Sequence, residues 1–274
     1  MTITIDKNLC IACGRCVRVC PSSLFSIADG EVSVSSTGCI ACGHCLAVCP
    51  RGAITHSCYT PSMVRHIDRS IYPSARSLME LIKGRRSNRQ FTNQPIPPDT
   101  LSQIVDAGRH APTATNSRDV KMLSVTDPVT IASVAQFTID TFSSLVSLLG
   151  NPVISPLVRL FSPDNYSYIA EFRRMKEDHL AGRDPILHHP TALVIYYTDA
   201  SSRFGCQDAN LAYQNSSLMA EALGVAHFYT GFVTVAASMR RYRLQRILGI
   251  SGTIHAGMSL GMPAFTFDNY IDRK

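Results

Sequence analysis

A duplicated cysteine motif near the N-terminus constrains the fold of this chain more than any other feature. Eight of its ten cysteines lie within the first 49 residues. The segment Cys10–Pro21 recurs 29 residues later as Cys39–Pro50, and nine of the twelve positions are identical. Each copy has the spacing C-x2-C-x2-C-x3-C-P, so the two copies form an internal repeat.

Three kinds of site use clustered cysteines. A disulfide framework requires an oxidising compartment, and residues 1–6 lack the basic and apolar regions of a secretory signal. Zinc sites use cysteine pairs that flank a longer gap. The observed spacing instead matches the bacterial run that binds 4Fe-4S clusters. The sequence therefore predicts two 4Fe-4S clusters.

Residues 1–57 resemble a bacterial-type two-cluster ferredoxin, in which the fourth cysteine of each run binds the other cluster. That rule gives the first cluster the ligands Cys10, Cys13, Cys16 and Cys49. It gives the second cluster the ligands Cys39, Cys42, Cys45 and Cys20. Four short strands are predicted to form two hairpins, at Ile3–Ile5, Phe25–Ile27, Val32–Val34 and Ala53–Thr55. The two cysteines outside the pattern, Cys58 and Cys206, are expected to be small buried side chains.

The rest of the chain has a mixed helix and strand pattern. Residues 58–76 show no clear period and are predicted to be a connector. Apolar periodicity and glycine stops predict helices at Ser77–Lys83, from Pro98 onward, at Cys206–Leu223 and at Ala237–Leu248. Apolar runs predict strands at Val120–Thr126, Ala192–Thr198 and His255–Leu260.

Two polar segments carry candidate binding chemistry. The first, residues 85–89, has three arginines and a serine after a helix end, which suits a phosphate group. Taken alone, this segment is interpreted more simply as a basic surface turn. The second, residues 111–118, is a turn crowded with small hydrogen-bonding residues, a composition expected beside a heteroaromatic ring.

Together these segments resemble the FMN-dependent nitroreductase family over residues 78–274. Further matching parts are Asp208–Ala212, Glu221–Phe232, Leu260–Pro263 and the basic end Arg273–Lys274. The resemblance implies an α+β fold class: a small ferredoxin-like iron–sulfur domain at residues 1–57, then a nitroreductase-type α+β sandwich domain at residues 77–274. Residues 137–175 correspond to the family's variable insertion, and their apolar character indicates a pocket wall or a dimer arm.

The resemblance also implies site residues, none of them a catalytic side chain. The FMN phosphate and ribityl chain would be held by Arg85, Arg86, Ser87, Arg89 and Arg273. The ring would be reached, from the partner subunit of a homodimer, by Pro112, Thr113 and Asn116. One ring face would be lined by Tyr229, Thr230 and Gly231, with a backbone N–H near flavin N5. Thr230 departs from the family, many members of which have an acidic residue there, and residues 118–120 replace the common Gln-Pro-Trp.

The expected function is that of an iron–sulfur flavoprotein oxidoreductase. Electrons would pass from the clusters to FMN and on to a small-molecule acceptor: a nitro compound, a quinone or an activated alkene. The donor would be NAD(P)H or a reduced ferredoxin or flavodoxin. Two alternatives stay open: an electron-transfer module serving a protein partner, and an oxidative flavoenzyme that drains electrons through the clusters.

Charge and hydropathy exclude other classes. The net charge of +6 is scattered along the chain, so nucleic-acid binding is not expected. No run of about 18 uncharged apolar residues occurs, and the longest candidate, residues 131–150, contains Asp140, so no membrane span is expected. Without an N-terminal signal, the expected location is the cytoplasm.

Overall fold

The computed structural model of the chain describes residues 1–149, 151 and 163–272. The chain divides into two compact units. The first comprises Met1–Pro73 together with the short segment Ala114–Ser117, and the second comprises Ser74–Thr113 and the chain from Arg118 onward. Within the predicted insertion, residues 150 and 152–162 lie outside the described part. The C-terminal residues Arg273 and Lys274 also lie outside it.

The first unit is built from short elements around the duplicated motif. Its strands are β1 (Ile3–Ile5), β2 (Phe25–Ala28), β3 (Glu31–Val34) and β4 (Ile54–His56), and its helices are α1 (Arg15–Val19) and α2 (His44–Val48). Strands β2 and β3 form an antiparallel hairpin, whereas β1 pairs with β4. The prediction of two hairpins is therefore wrong for one pair, because β1 and β4 lie at opposite ends of the repeat.

The two copies of the motif adopt the same local backbone. Helices α1 and α2 follow Gly14 (φ 66°) and Gly43 (φ 74°), which occupy the left-handed region that glycine adopts without steric cost. Ala12 and Ala41, two residues before these glycines, both have φ 50°. The turn that carries the first three cysteines of each run is thus the same in both halves.

The second unit contains the larger elements. Its helices are α3 (Ala75–Gly84), α4 (Pro98–Arg109), α5 (Pro128–Leu149), α6 (Pro163–Leu180), α7 (Gly205–Ala222), α8 (Gly231–Met239) and α9 (Arg241–Leu248). Its strands are β5 (Lys121–Val125), β6 (Ala192–Thr198), β7 (Ala226–Tyr229) and β8 (Thr253–Gly261). The four strands form one antiparallel sheet in the order β5-β6-β8-β7.

Both faces of this sheet are covered by helices. Alternate residues of β6 point to opposite faces, as strand geometry requires. Leu193 and Ile195 enter a core formed with α5, α8 and α9, whereas Val194 and Tyr196 enter a core formed with α4 and α7. The α+β sandwich that the sequence predicts is confirmed, and β6 has the predicted bounds.

The predicted helix Ala237–Leu248 is wrong as a single element. Helix α8 ends at Met239 and α9 begins at Arg241, because Arg240 has φ −136° and ψ 49°, values that are not helical. The apolar periodicity continues across this break, since Ala237 and Leu244 both enter the same core. The apolar periodicity of the sequence therefore could not locate the break between α8 and α9.

Helix α5 is the longest helix of the described chain and is strongly apolar. Its 22 residues are long and apolar enough, by length and composition alone, to cross a membrane. In this fold its buried residues form part of the core beside β6. Asp140, near its middle, pairs with Arg243 of α9 at 2.6 Å between Oδ2 and Nη2. Packing within the second unit thus accounts for the apolar composition of α5.

Candidate functional site

The eight motif cysteines line two separate cavities in the first unit. One cavity is bordered by Cys10, Cys13, Cys16 and Cys49. The other is bordered by Cys20, Cys39, Cys42 and Cys45. In each cavity the structure brings three closely spaced cysteines together with the fourth cysteine of the other run, which is the arrangement expected of a two-cluster ferredoxin.

All ten cysteines lie in described residues, and none forms a disulfide. Burial raises the pKa of the Cys16 and Cys45 thiols, so ligation there must displace a proton from each sulfur. Cys58 and Cys206 are exposed, and the expectation that they are buried is wrong. Cys58 lies in the turn after β4, and Cys206 lies in the first turn of α7.

Each cavity has four cysteines on its wall, the number of ligands that one 4Fe-4S cluster takes. Within the described chain, no three His, Cys, Asp or Glu side chains converge closely enough to hold one metal ion. The four ligands of a zinc site all meet at one ion, whereas each thiolate of a 4Fe-4S cluster binds a different iron. Four thiols around one cavity can each bind a different iron of such a cluster.

Backbone N–H groups point at several of these sulfurs. The Leu24 N–H donates to Cys20 Sγ at 3.4 Å, and the Ala53 N–H donates to Cys49 Sγ at 3.3 Å. These two donors are 29 residues apart and occupy equivalent positions of the repeat. Donors of this kind stabilise thiolate ligands and influence the reduction potential of a bound cluster.

The predicted flavin-edge segment is divided between the two units. Thr113 lies in the second unit, where its Oγ1 accepts the Arg118 N–H at 3.0 Å, and the neighbouring Pro112 is exposed. Asn116 belongs to the first unit, and its amide donates to the carbonyl oxygens of Ile40 (3.0 Å) and Ala41 (2.7 Å). In this chain Asn116 therefore stabilises the loop between Cys39 and Cys42.

The predicted phosphate segment follows the C-terminus of α3. Arg86 donates to the carbonyl of Lys83 at 3.0 Å, which satisfies a helix-end acceptor. Asn88 is buried and donates to the carbonyl of Phe265 at 3.0 Å, so it has a structural role. Ser87 and Arg89 are exposed. Among the described residues, no carboxylate forms an ion pair with any of the three arginines, whose positive charge can therefore act on an anion.

Strand β7 links the phosphate segment to the predicted ring residues. The Arg89 guanidinium lies 5.1 Å from the centre of the Phe228 ring. Glu221, at the end of α7, interacts with the phosphate segment. Burial raises the pKa of its carboxyl, and the positive charge of Arg85 opposes that rise. Tyr229, the last residue of β7, packs against Tyr213 with ring centres 4.8 Å apart. Strand β7, which was not predicted from the sequence, thus carries Phe228 beside Arg89 and Tyr229 beside Tyr213.

Thr230 and Gly231 lie where β7 passes into α8. The Thr230 N–H donates to the Gly257 carbonyl at 2.9 Å, which fixes this corner to β8. The Thr230 side chain is 2% exposed, and its hydroxyl has no hydrogen-bond partner within the described chain. This hydroxyl is packed against Gly257 of β8, where a larger residue would collide with it, so the fold itself encloses it. The arginines of residues 85–89, which form no ion pair within the described chain, suit the phosphate of a bound cofactor.

Comparisons with known proteins bear on both units. The model of the Nitroreductase family matches residues 82–262. The model of the 4Fe-4S dicluster domain matches residues 2–50. A comparison with curated proteins gives no match.

Several solved structures share the fold of the larger unit. A nitroreductase with bound FMN from Bacteroides fragilis is 20% identical, with 71% of this chain and 94% of that chain covered and a TM-score of 0.55. A nitroreductase with bound FMN from Desulfitobacterium hafniense is 17% identical, with coverages of 72% and 94% and a TM-score of 0.53. Iodotyrosine deiodinase bound to FMN and 3-iodo-L-tyrosine is 14% identical, with coverages of 72% and 95% and a TM-score of 0.51.

Proposed function

We propose that this chain, which belongs to the nitroreductase family, is an iron–sulfur flavoprotein oxidoreductase that passes electrons from two 4Fe-4S clusters to FMN and on to an organic acceptor. The observation that carries the proposal is the presence, in one chain, of two four-cysteine cavities and a nitroreductase fold. Bound clusters carry electrons one at a time, and a bound flavin exchanges them singly or in pairs.

The residues of the chain bind and orient these groups. The two cysteine sets hold the clusters in residues 1–57. In residues 77–274, the FMN phosphate and ribityl chain would be held by Arg85, Arg86, Ser87 and Arg89, together with Arg273, which lies outside the described residues. Tyr229, Thr230 and Gly231 line the ring. Positive charge beside the phosphate supplies binding energy, and the buried corner at Thr230 excludes water from one side of the ring.

The exposed apolar surface of the second unit supports a homodimer with FMN at its interface. Helix α3 has an apolar face, yet none of its residues is buried in the single chain. Its Met79 is 51% exposed, and near the C-terminus Phe267 is 51% and Ile271 83% exposed. Apolar side chains exposed together mark an association surface. A second copy of the chain is the partner that we propose, and a sedimentation mass of two chains is the expected result.

The acceptor is a nitro compound, a quinone or an activated alkene, and the donor is NAD(P)H or a reduced ferredoxin or flavodoxin. We assign the chain to the cytoplasm, where reducing conditions keep thiols available for iron. The two other functions considered for the sequence make different predictions. A module that serves a protein partner would not transfer electrons to small molecules, and an oxidative flavoenzyme would reduce its own clusters when given an organic donor.

The test uses protein that is purified without oxygen and then fully reduced. Flavin and cluster absorbance are followed after a nitroaromatic, a quinone or an activated alkene is added. We expect fast, saturable reoxidation by one of these classes. In a Cys16→Ser variant, which lacks one ligand of the first cluster, cluster reoxidation should be impaired while FMN stays bound. If no class reoxidises the intact protein, the proposed function is wrong.

A further inference from the structure

A buried histidine borders the second cysteine cavity, and no histidine borders the first. His56, the last residue of β4, is 4% exposed, and its Nε2 lies 3.4 Å from the sulfur of Cys39. Its other ring nitrogen, Nδ1, accepts the backbone N–H of Cys58 at 3.0 Å. The imidazole therefore bridges a cluster ligand and the turn that follows β4.

The contact with Cys58 determines where the ring carries its proton. A nitrogen that accepts an N–H cannot itself be protonated, so Nδ1 is the acceptor and the ring is neutral. The single ring proton must then be on Nε2, which points at Cys39. His56 thus donates a hydrogen bond to the Cys39 sulfur.

Neighbouring groups hold the ring in this orientation. His56 lies in the strand pair with β1, where it is opposite Ile3. Its ring packs edge-on against Tyr59, with ring centres 5.3 Å apart. The Tyr59 hydroxyl in turn donates to the carbonyl of Ala41, in the loop between Cys39 and Cys42. The donor and the loop that carries its acceptor are therefore positioned by the same contacts.

The repeat provides an internal comparison. The position 29 residues before His56 is Ile27, which is 45% exposed and has no polar atom in its side chain. Cys39 accepts from both the Ala41 N–H, at 3.3 Å, and His56. In residues 1–73, all of which the structure describes, no side-chain donor contacts the equivalent Cys10. The histidine therefore distinguishes the second cavity from the first.

We propose that His56 is a positioning residue that, through Cys39, raises the reduction potential of the second cluster relative to the first. Reduction adds one electron and increases the negative charge on the ligand sulfurs, and no proton needs to move. A donated hydrogen bond stabilises that added charge and so favours the reduced form. Electrons that enter the iron–sulfur unit would consequently reside mainly on the second cluster. This inference rests on the proposed function, because it requires both clusters.

The test compares two substitutions in the full chain, purified without oxygen and titrated with a reductant while the cluster signals are followed by electron paramagnetic resonance. In His56→Asn, the shorter amide can accept the Cys58 N–H but leaves no donor near the Nε2 position. In His56→Gln, the longer amide carries an N–H donor close to that position. We expect His56→Asn to weaken reduction of one cluster about tenfold, which is roughly 59 mV for one electron. The other cluster should keep its potential, and His56→Gln should stay near the wild-type value.

Controls separate this inference from the proposal that it rests on. Iron and sulfide are measured first: wild-type protein without clusters would overturn the proposed function, whereas loaded protein with unshifted potentials in His56→Asn would overturn only the role of His56. An Ile27→Asn variant should leave both potentials unchanged.

A second measurement applies if His56→Asn does not fold. Wild-type protein labelled with 15N in its histidine rings should show nitrogen coupling in the signal of the reduced second cluster, and an exposed-site variant, His44→Gln, should retain it. Absence of that coupling would contradict the proposed hydrogen bond.

Discussion

His227 illustrates how a single buried residue links stability to pH. It is fully buried on β7, where its Nε2 accepts the Ser217 hydroxyl at 2.8 Å and its Nδ1–H donates to the Val225 carbonyl at 3.1 Å. Burial lowers the pKa of this imidazole from 6.5 to about 4. The folded protein therefore keeps His227 neutral at a pH at which the unfolded chain would protonate it.

The sign of the effect follows from this difference. Above pH 6.5 both states are neutral and the protein has its full stability, and as the pH falls from 6.5 towards 4 the unfolded state gains a proton that the folded state excludes. We expect a loss of about 3 kcal/mol in unfolding free energy across this range. Denaturant unfolding at several pH values measures it. Burial also lowers the pKa of His56, His188 and His255, so His227→Gln should weaken the pH dependence rather than abolish it. The exposed-site variant His110→Gln should leave it unchanged, and equal slopes in both variants would contradict the assignment.

The arginines of the phosphate segment permit a second prediction at this scale. Arg85→Ala combined with Arg89→Ala should weaken FMN binding, because each charge-assisted contact with a phosphate contributes about 1.5–3 kcal/mol. The FMN dissociation constant should rise on the order of 100-fold or more. Fluorescence titration of the flavin-free protein measures this constant, with the exposed Arg246→Ala as the matched control. Unchanged affinity in the double variant would refute the phosphate assignment.

At the scale of residues, the sequence predicted side-chain positions best where the spacing of a motif determines which residues lie together. The cysteine spacing and the ferredoxin resemblance divided eight cysteines into two sets, and each set borders one cavity. The same reasoning could not reveal that Asn88 binds the Phe265 carbonyl or that Asn116 binds the carbonyls of Ile40 and Ala41. Those partners are distant in sequence, and local composition does not contain that information.

The aromatic contacts between α5, α6 and α8 carry the prediction at the scale of elements. Phe142 of α5 stacks on Phe172 of α6, with ring centres 4.4 Å apart, and meets the edge of Phe232 of α8 at 5.7 Å. Because α8 begins at Gly231, this cluster anchors the helix next to the predicted ring site.

Phe142→Ala should lower the unfolding free energy by about 3–5 kcal/mol, since it leaves a cavity among three helices. Phe142→Leu, which keeps most of the volume, should cost about 1.5 kcal/mol or less. Chemical denaturation gives both values, and the exposed Phe204→Ala provides the control. A loss in Phe142→Ala no greater than that of Phe204→Ala would mean that the cluster does not anchor α8.

Elements were predictable from sequence where their pattern is strong and local. The apolar run of β6 fixed that strand at both ends. Strand β7 has only four residues, one of them a histidine, and is stabilised by pairing with β8 rather than by its own pattern. The pairing of β1 with β4 depends in the same way on a non-local contact.

At the scale of the whole molecule, the proposed electron transfer depends on which groups the two units bind. The first unit matches a 4Fe-4S dicluster domain over residues 2–50, and the second matches the Nitroreductase family over residues 82–262. The cavity-lining cysteines argue for two clusters, because each set of four draws on both halves of the repeat.

The most direct test of this claim is the cofactor content of the chain after purification without oxygen. Iron, acid-labile sulfide, zinc and released flavin are each measured per chain. Two 4Fe-4S clusters and one flavin predict about eight irons, about eight sulfides and about one FMN per chain, with no zinc. About four irons per chain would mean that the chain binds one cluster and not two. Zinc in place of iron, or protein that binds no FMN, would contradict the proposed function.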